Sequence, residues 1–272
     1  MEKDQNKKGK EGISLIITTY NWPKALDIVL ERVLQQTKYP DEVIIADDGS
    51  TEETVELIKA WQKKFPVPLI HSWIEDKGFR ASMSRNMAIL KSSYDYIVFI
   101  DGDILIRKHF IEDHHKYREE GYFLAGSRAR LSESLSQKLL NKEIKKENFF
   151  TPGVGRRLTF IHCPWYHKLS KGITDHYKKV RSCHLSLWRK DLFAVDGFDE
   201  SFEGWGLEDS DLVVRLMNSG IKRKNLPLLA GCSHIYHYQK ENDKFEDNER
   251  YLKTAIKEKY IKAQKGLSSH EL

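Results

Sequence analysis

Short apolar runs alternate with segments of helical periodicity along the first hundred residues. ISLIITT (13–19) is β-branched and almost continuously apolar, which predicts a buried strand. Asn21-Trp22-Pro23 interrupts it, and Ala25, Leu26, Val29, Leu30, Val33 and Leu34 then form the stripe of an amphipathic helix over 24–36. EVIIA (42–46) predicts a second strand, closing on Asp47-Asp48-Gly49-Ser50. A helix from Thr51, capped by Ser50 or Thr51 and acidic in its first turn, carries Val55, Leu57, Ile58 and Trp61. PLIHSWI (68–74), a helix over 81–91 and the strand YIVFI (96–100) complete the alternation. Such an order predicts a parallel, right-handed, doubly wound α/β sheet with ligands at the carboxyl ends of its strands. Those ends read TTYN, ADDGS and IDGD, and all three are expected to face one crevice.

The second half is less regular. HFIEDHHKYREEG (109–121) predicts a helix, YFLAGS a strand and 132–147 a polar helix; GFDESFEGWG reads as loop, and LEDSDLVVRLMNSG as a helix ending at Gly220. Between them, 142–181 holds ten Lys/Arg against three acids, interleaved with aromatics. An acceptor loop, a surface for anionic lipid and a plain solvated loop all fit that composition.

At 272 residues, 40% hydrophobic and 31% charged, the chain suits one large domain, or one domain with an elaborated second half. The net charge of +5 favours phosphorylated ligands, anionic lipid or nucleic acid without choosing among them. No apolar run approaches the roughly 18–20 residues of a membrane span, and MEKDQNKKGKEG lacks the apolar core of a signal peptide, so a cytoplasmic location is expected. Cys163, Cys183 and Cys232 form no CxxC pair, which points to buried free thiols rather than disulfides or zinc.

YIVFI runs directly into Asp101-Gly102-Asp103. Residues i and i+2 of an extended chain share a side, so the two carboxylates converge if extension persists past the strand. Acids so close favour a cation or a hydroxyl-rich ligand between them, and Mg²⁺ or Mn²⁺ commonly bridges such groups to a diphosphate. A solvated acidic turn is the plainer alternative. Gly102 permits a sharp turn and close approach of a ligand. Asp48 can accept from a ribose hydroxyl or base N–H, or cap the following helix. Tyr20 can stack on a base or simply pack. Arg80 and Arg85 in DKGFRASMSRNMAIL can pair with phosphate or form surface ion pairs.

Taken in order, ISLIITTYN, EVIIADDGST, GFRASMSRNMAI and YIVFIDGD resemble the nucleotide-sugar-binding half of family 2 glycosyltransferases of the GT-A fold, a Rossmann-like, mostly parallel sheet flanked by helices. GFDESFEGWGLEDSDLVVRLMNSG resembles the carboxy-terminal motif of β-1,4-galactosyltransferase and chondroitin-polymerase type enzymes. The resemblance implies that Thr18, Tyr20, Asp48 and Arg80 contact uracil and ribose. It makes Asp101 and Asp103 the DxD motif, with Asp101 at the nucleotide and Asp103 the more direct metal ligand. Trp205 becomes the platform under the sugars, and Glu208 and Asp209 the acidic pair, with Asp209 the general base. The metal's histidine is expected at His237 of SHIYHY, with His234 as rival; KEND following His237 favours it.

The implied reaction is metal-dependent, inverting transfer of a hexose or N-acetylhexosamine from a UDP-sugar to a hydroxyl of a glycan or lipid-linked glycan, in surface polysaccharide synthesis, with Mn²⁺ or Mg²⁺ as cofactor. Such chemistry needs a base on one face of the sugar and a cation on the other. The expected layout is a leader at 1–12, a transferase domain at 13–240 divided into nucleotide-sugar (13–127) and acceptor/catalytic (128–240) halves, and a helical tail at 241–272. Peripheral association with the inner face of the plasma membrane is expected through 142–181, and no nucleic-acid partner. Leu207 stands where the galactosyltransferases often carry glycine, which leaves the donor sugar open. The alternatives are a catalytically silent protein of the same fold that binds carbohydrate or lipid, and a sugar nucleotidyltransferase. The latter usually carries an early glycine-rich basic phosphate loop, which this sequence lacks.

Overall fold

The computed structural model describes residues 10–170, 172–238 and 244–270. The alternating first half consists of β1 (Lys10–Thr19), α1 (Pro23–Val33), β2 (Glu42–Asp47), α2 (Glu52–Gln62), β3 (Leu69–Trp73), α3 (Ala81–Lys91) and β4 (Tyr94–Asp101). There follow β5 (Ile104–Ile106), α4 (Phe110–Tyr117), β6 (Tyr122–Ala125), β7 (Ala129–Leu131), α5 (Glu133–Leu140), β8 (Val154–Gly155) and α6 (Pro164–Ser170). The last elements are β9 (Ile173–Thr174), β10 (Leu185–Trp188), α7 (Arg189–Ala194), α8 (Glu208–Asn218), β11 (Lys222–Asn225), β12 (Cys232–His234) and α9 (Phe245–Lys257).

Eight strands form the main sheet in the order β3-β2-β1-β4-β10-β6-β11-β9, and β5-β12-β7-β8 form a second one. The first four strands are parallel, as their helical crossovers require. Beyond β4 the sheet turns mixed, because β10 runs antiparallel to both β4 and β6. Side-chain alternation sorts the core into two layers. Leu15, Ile17, Val98 and Ile100 meet Leu26 and Val29 of α1 and Trp61 of α2 on one face. Ile16, Ile97 and Phe99 turn the other way, onto Ala88 and Ile89 of α3 and Val213 and Leu216 of α8. The register places Thr18 beside Asp101 and Thr19 beside Asp47, so the polar strand ends come out level at one edge of this core.

Several boundaries differ from expectation for local reasons. The helix expected over 132–147 stops at Leu140, after which Lys142 takes φ +58° and Glu147 turns inward onto Arg32 and Arg107. The strand YFLAGS ends at Ala125, and Gly126 then packs against His184: its N–H donates to the His184 carbonyl (3.2 Å), and a Cβ there would lie 2.0 Å from the His184 ring. Arg118 turns extended and closes the helix at Tyr117. Of the expected leader, residues 1–9 lie outside the described residues and Lys10 already belongs to β1. Cys163, Cys183 and Cys232 are free, the last two buried. No helix among the described residues is long and apolar enough to cross a membrane.

Candidate active site

A crevice of about 640 Å³ opens at the carboxyl ends of β1, β2 and β4 and is closed on the far side by the loop before α8. Thr18, Tyr20, Asp48, Asp101, Asp103, Trp205, Glu208, Asp209 and His237 all line it, so the three punctuated strand ends and the GWGLED segment meet as the sequence predicted.

Three buried carboxylates there each keep one oxygen without a hydrogen-bond partner among the described residues: Asp48 Oδ1, Asp103 Oδ1 and Asp209 Oδ1. Buried polar atoms are ordinarily paired, and three such oxygens gathered at one crevice suit a polar ligand there. The neighbouring Asp47 is different. Its oxygens accept from Ser50 N–H (2.8 Å) and contact His71 Nε2 (2.8 Å), which fixes the turn and leaves Asp48 as the carboxylate offered to the crevice. Burial pushes Asp48 up to about 6, against the pull of the Arg80 backbone N–H on Oδ2 (2.8 Å). Gly49 makes that turn possible: its φ is +94°, and a Cβ would fall 2.5 Å from Asp76 Cα.

Arg85 joins the two motifs. Buried on the sheet side of α3, it donates to Thr18 Oγ1 (3.3 Å), Asp101 Oδ1 (3.4 Å) and Glu208 Oε1 (3.1 Å), and lies 3.9 Å from Asp209 Oδ1. Burial alone would depress its pKa, but the charges of Asp101, Asp209 and Glu208 raise it. Burial, with the Asp209 charge beside it, pushes Glu208 up to about 7 despite Arg85. The sequence offered phosphate pairing or a surface ion pair for Arg85, and the structure instead makes it a buried hub. A signal was present: Arg85 is in helical phase with Ala81, Ala88 and Ile89, and a charge on a buried stripe must find partners.

The GWGLED segment is held from both ends. Gly206 has φ +109° and Leu207 φ +74°, a left-handed conformation suited to the glycine that galactosyltransferases often carry there. The chain then enters α8 with Glu208, Asp209 and Asp211 in its first turn, where the helix dipole favours acids. Arg215 clamps that helix by pairing with Asp211 (2.7 Å) and donating to the Val195 and Gly197 carbonyls (2.6 and 2.9 Å). From α9, in the stretch expected as a tail, Asn248 Nδ2 donates to the carbonyls of Glu203 (3.0 Å) and Gly206 (3.1 Å). The backbone on either side of Trp205, which lines the crevice, is thereby held.

Asp103, His234 and His237 offer one ligand atom each within 4.8 Å of one another. Both Nε2 atoms lie 3.3 Å from Asp103 Oδ2, so the two rival histidines converge on the same carboxylate. Burial opposes ionisation of Asp103, yet its hydrogen bonds with the two imidazoles hold it well below the usual carboxylate range. One oxygen and two nitrogens, with Asp103 Oδ1 still unpartnered, fit a divalent cation. The KEND stretch after His237 is residues 240–243 and lies outside the described residues.

One placement departs from the sequence picture. The Arg80 guanidinium turns to the Glu75 carbonyl and Met83 Sδ, leaving its backbone N–H to donate to Asp48. Gly102 lines the crevice and also packs the chain on itself: its N–H donates to Thr18 O (2.7 Å), and a Cβ would sit 3.0 Å from that oxygen. Sequence reasoning also passed over Arg128, which lines the crevice with Nη1 2.7 Å from Cys183 Sγ.

Residues 14–194 match the glycosyl transferase family 2 profile, and 164–239 match the one described as the N-terminal domain of galactosyltransferase. A hyaluronan synthase from Pasteurella multocida is 28% identical over 231 residues, which cover 77% of this chain and 23% of that protein; the chain thus spans under a quarter of this relative's length. Among solved structures, S. aureus TarS 1–349 in complex with UDP-GlcNAc superposes with a TM-score of 0.60 at 16% identity, covering 88% of this chain and 65% of that one. The mannosyltransferase PcManGT of Pyrobaculum calidifontis, in complex with GDP-Man and Mn²⁺, gives 0.57 at 15% identity, covering 94% and 65%. These likenesses establish the GT-A fold. The family 2 profile takes in both Asp48 and the DxD acids across two-thirds of the sequence, and the chain belongs to glycosyl transferase family 2.

Proposed function

We propose that the chain moves a hexose or N-acetylhexosamine from a UDP-sugar to a hydroxyl of a glycan or lipid-linked glycan, with inversion at the anomeric carbon and with Mn²⁺ or Mg²⁺ bound, in the synthesis of a surface polysaccharide. The meeting of the Asp48, Asp103 and Asp209 carboxylates in one crevice carries this reading, because each matches one part of such a substrate pair. Asp48 accepts from the uracil or ribose, beside Thr18, Asp101 and the half-exposed ring of Tyr20. Arg80 contributes through the backbone N–H that orients Asp48. Asp103, His234 and His237 hold the metal, and two imidazole ligands favour Mn²⁺ over the all-oxygen preference of Mg²⁺. When bound, the ion neutralises charge on the departing diphosphate.

Trp205 offers an apolar face to a pyranose ring, and Glu208, anchored by Arg85 and the Gly206 N–H (3.1 Å), accepts from sugar hydroxyls. The Asp209 carboxylate takes the acceptor hydroxyl proton as the acceptor oxygen bonds to the anomeric carbon. The bond from that carbon to the diphosphate oxygen breaks, and its electron pair leaves with UDP. Attack opposite the breaking bond inverts the centre. The UDP-GlcNAc bound by TarS and the Mn²⁺ bound by PcManGT support the donor and metal assignments.

A thermal-shift panel of UDP-sugars and GDP-mannose, with and without Mn²⁺, tests the reading. Ligand at about a hundred times its Kd adds about 2.7 kcal/mol to the folded state, a shift of several degrees for a chain of this size. UDP-sugars are expected to give it only with Mn²⁺, and Asp103→Ala to abolish the Mn²⁺ dependence. Stabilisation by GDP-mannose alone would sink the donor assignment, and an unchanged Mn²⁺ dependence in Asp103→Ala the metal assignment.

A further inference from the structure

Between Asn148 and Ser170 the chain leaves large apolar side chains in solvent. Phe150 is 83% exposed, Leu158 65%, Trp165 66% and Leu169 72%, and Tyr166 is exposed beside them. The segments that carry these residues are tied to one another. Arg157 donates to the Phe149 carbonyl, tying the Phe149–Phe150 pair to the turn that carries Leu158. Leu158 lines a groove of about 470 Å³ together with Leu228. The Leu228 carbonyl accepts from Cys163 N–H (2.9 Å), at the residue before α6. Trp165 and Leu169, four residues apart on α6, share its outer side, and the Trp165 ring meets Tyr166 edge-on at 6.5 Å.

Single exposed apolar residues need no explanation, but a contiguous set marks an interaction surface. Another protein copy or a lipid surface can cover it, and the surrounding charge separates the two. Arg156 lines the same groove, and Lys145 and Lys146 lead into the phenylalanine pair; all three are exposed and make no ion pair among the described residues. Of the charged residues in 142–181, Glu147 is buried against Arg32 and Arg107 and Lys142 pairs with Asp27 and Glu31, so the basic excess of the sequence persists at the surface. Cores of protein–protein interfaces are depleted in lysine. Anionic bilayers attract Lys and Arg and accommodate Trp and Tyr at headgroup depth.

We propose that this face seats the protein on an anionic bilayer, with Phe150, Leu158, Trp165 and Leu169 entering the headgroup boundary and Lys145, Lys146 and Arg156 meeting lipid phosphates. The face adjoins the crevice. Ser127 lines the groove while the next residue, Arg128, lines the crevice, and Arg181 at the end of the basic segment lines the crevice as well. On the transferase reading above, docking brings the crevice rim to the level at which a lipid-linked glycan presents its hydroxyl; the bilayer contact itself does not depend on that reading.

Cosedimentation of the full chain with extruded vesicles tests it. Phosphatidylcholine vesicles containing phosphatidylglycerol are expected to carry the protein down, phosphatidylcholine alone is not, and high salt should release it. Trp165→Ser with Leu169→Ser should weaken partitioning at least about tenfold, and Lys146→Glu with Arg156→Glu by a similar factor. Both double variants should keep the wild-type melting temperature, which separates lost docking from misfolding. Wild-type protein left in the supernatant with both vesicle types overturns the proposal, as do folded variants that bind like wild type. So does a concentration-dependent dimer dissolved by Trp165→Ser/Leu169→Ser, which would mean that a second copy covers the face. If no UDP-sugar stabilises the protein while vesicle binding persists, the transferase reading fails and the docking surface stands.

Discussion

Asp209→Asn is expected to lower the transfer rate by about 10²- to 10⁴-fold, the usual contribution of a positioned general base. The substitution keeps the shape of the side chain at the start of α8 and removes only its capacity to take a proton. Asp48 and the Asp103–His234–His237 group are untouched, so UDP and Mn²⁺ should bind as in wild type and the donor KM should hold while kcat falls. The neighbouring Arg85 keeps Asp101 and Glu208 as partners, so folding should survive. Steady-state UDP release beside isothermal titration with UDP and Mn²⁺ reads both quantities. A variant that retains wild-type kcat would remove Asp209 from the base role.

Arg85→Leu should cost about 3–5 kcal/mol of stability, because it strips a buried cation from Asp101, Glu208 and Asp209 at once. The loss should depend on pH in a defined direction. Burial and Asp209 already raise Glu208 to about 7 in the folded state, above its ordinary unfolded value, so folding favours the protonated form. Without Arg85 that preference strengthens and Glu208 protonates at still higher pH, so the penalty of holding the ionised carboxylates together is relieved as pH falls toward about 7, below which wild-type Glu208 protonates too and the difference levels off. Urea unfolding at pH 8 and pH 6 should therefore show a smaller deficit, relative to wild type, at the lower pH. Equal deficits at both values would mean that carboxylate repulsion is not what Arg85 relieves.

How legible each part of the fold was follows from where its information lies. β1, β2 and β4 announce themselves as β-branched apolar runs because both faces of the parallel sheet are covered, and each stops at polar residues that must reach the crevice. β10 is four residues long, and its place is set by distant pairing, such as Ser186 opposite Val98; no local period reveals that. The second sheet is assembled from β5, β12, β7 and β8, strands of two or three residues, and was equally hidden. α5 was overestimated because good helix formers continue past Leu140, while Glu147 is drawn inward by two arginines far away in sequence.

The site divides in the same manner. Acids at strand ends were readable by position; of the adjacent pair at the end of β2, Asp47 spends both oxygens on Ser50 and His71, and Asp48 lines the crevice. The two arginines of the third helical segment were harder to separate. Helical phase turns Arg85 onto the sheet, whereas Arg80 precedes the first turn of α3 and folds its side chain back along its own loop. His234 and His237 could not be ranked by spacing because one is the last residue of β12 and the other lies in the loop after it, and both reach Asp103.

The most direct measurement is the anomeric configuration of the sugar released or transferred in the first turnovers, followed by ¹H NMR with Mn²⁺ and the α-linked UDP-sugar that most stabilises the protein. A β-configured product appearing together with an equal amount of UDP, and nothing without metal, is the predicted result. An α-configured product, or a sugar 1-phosphate in place of UDP release, would contradict inverting transfer by this crevice.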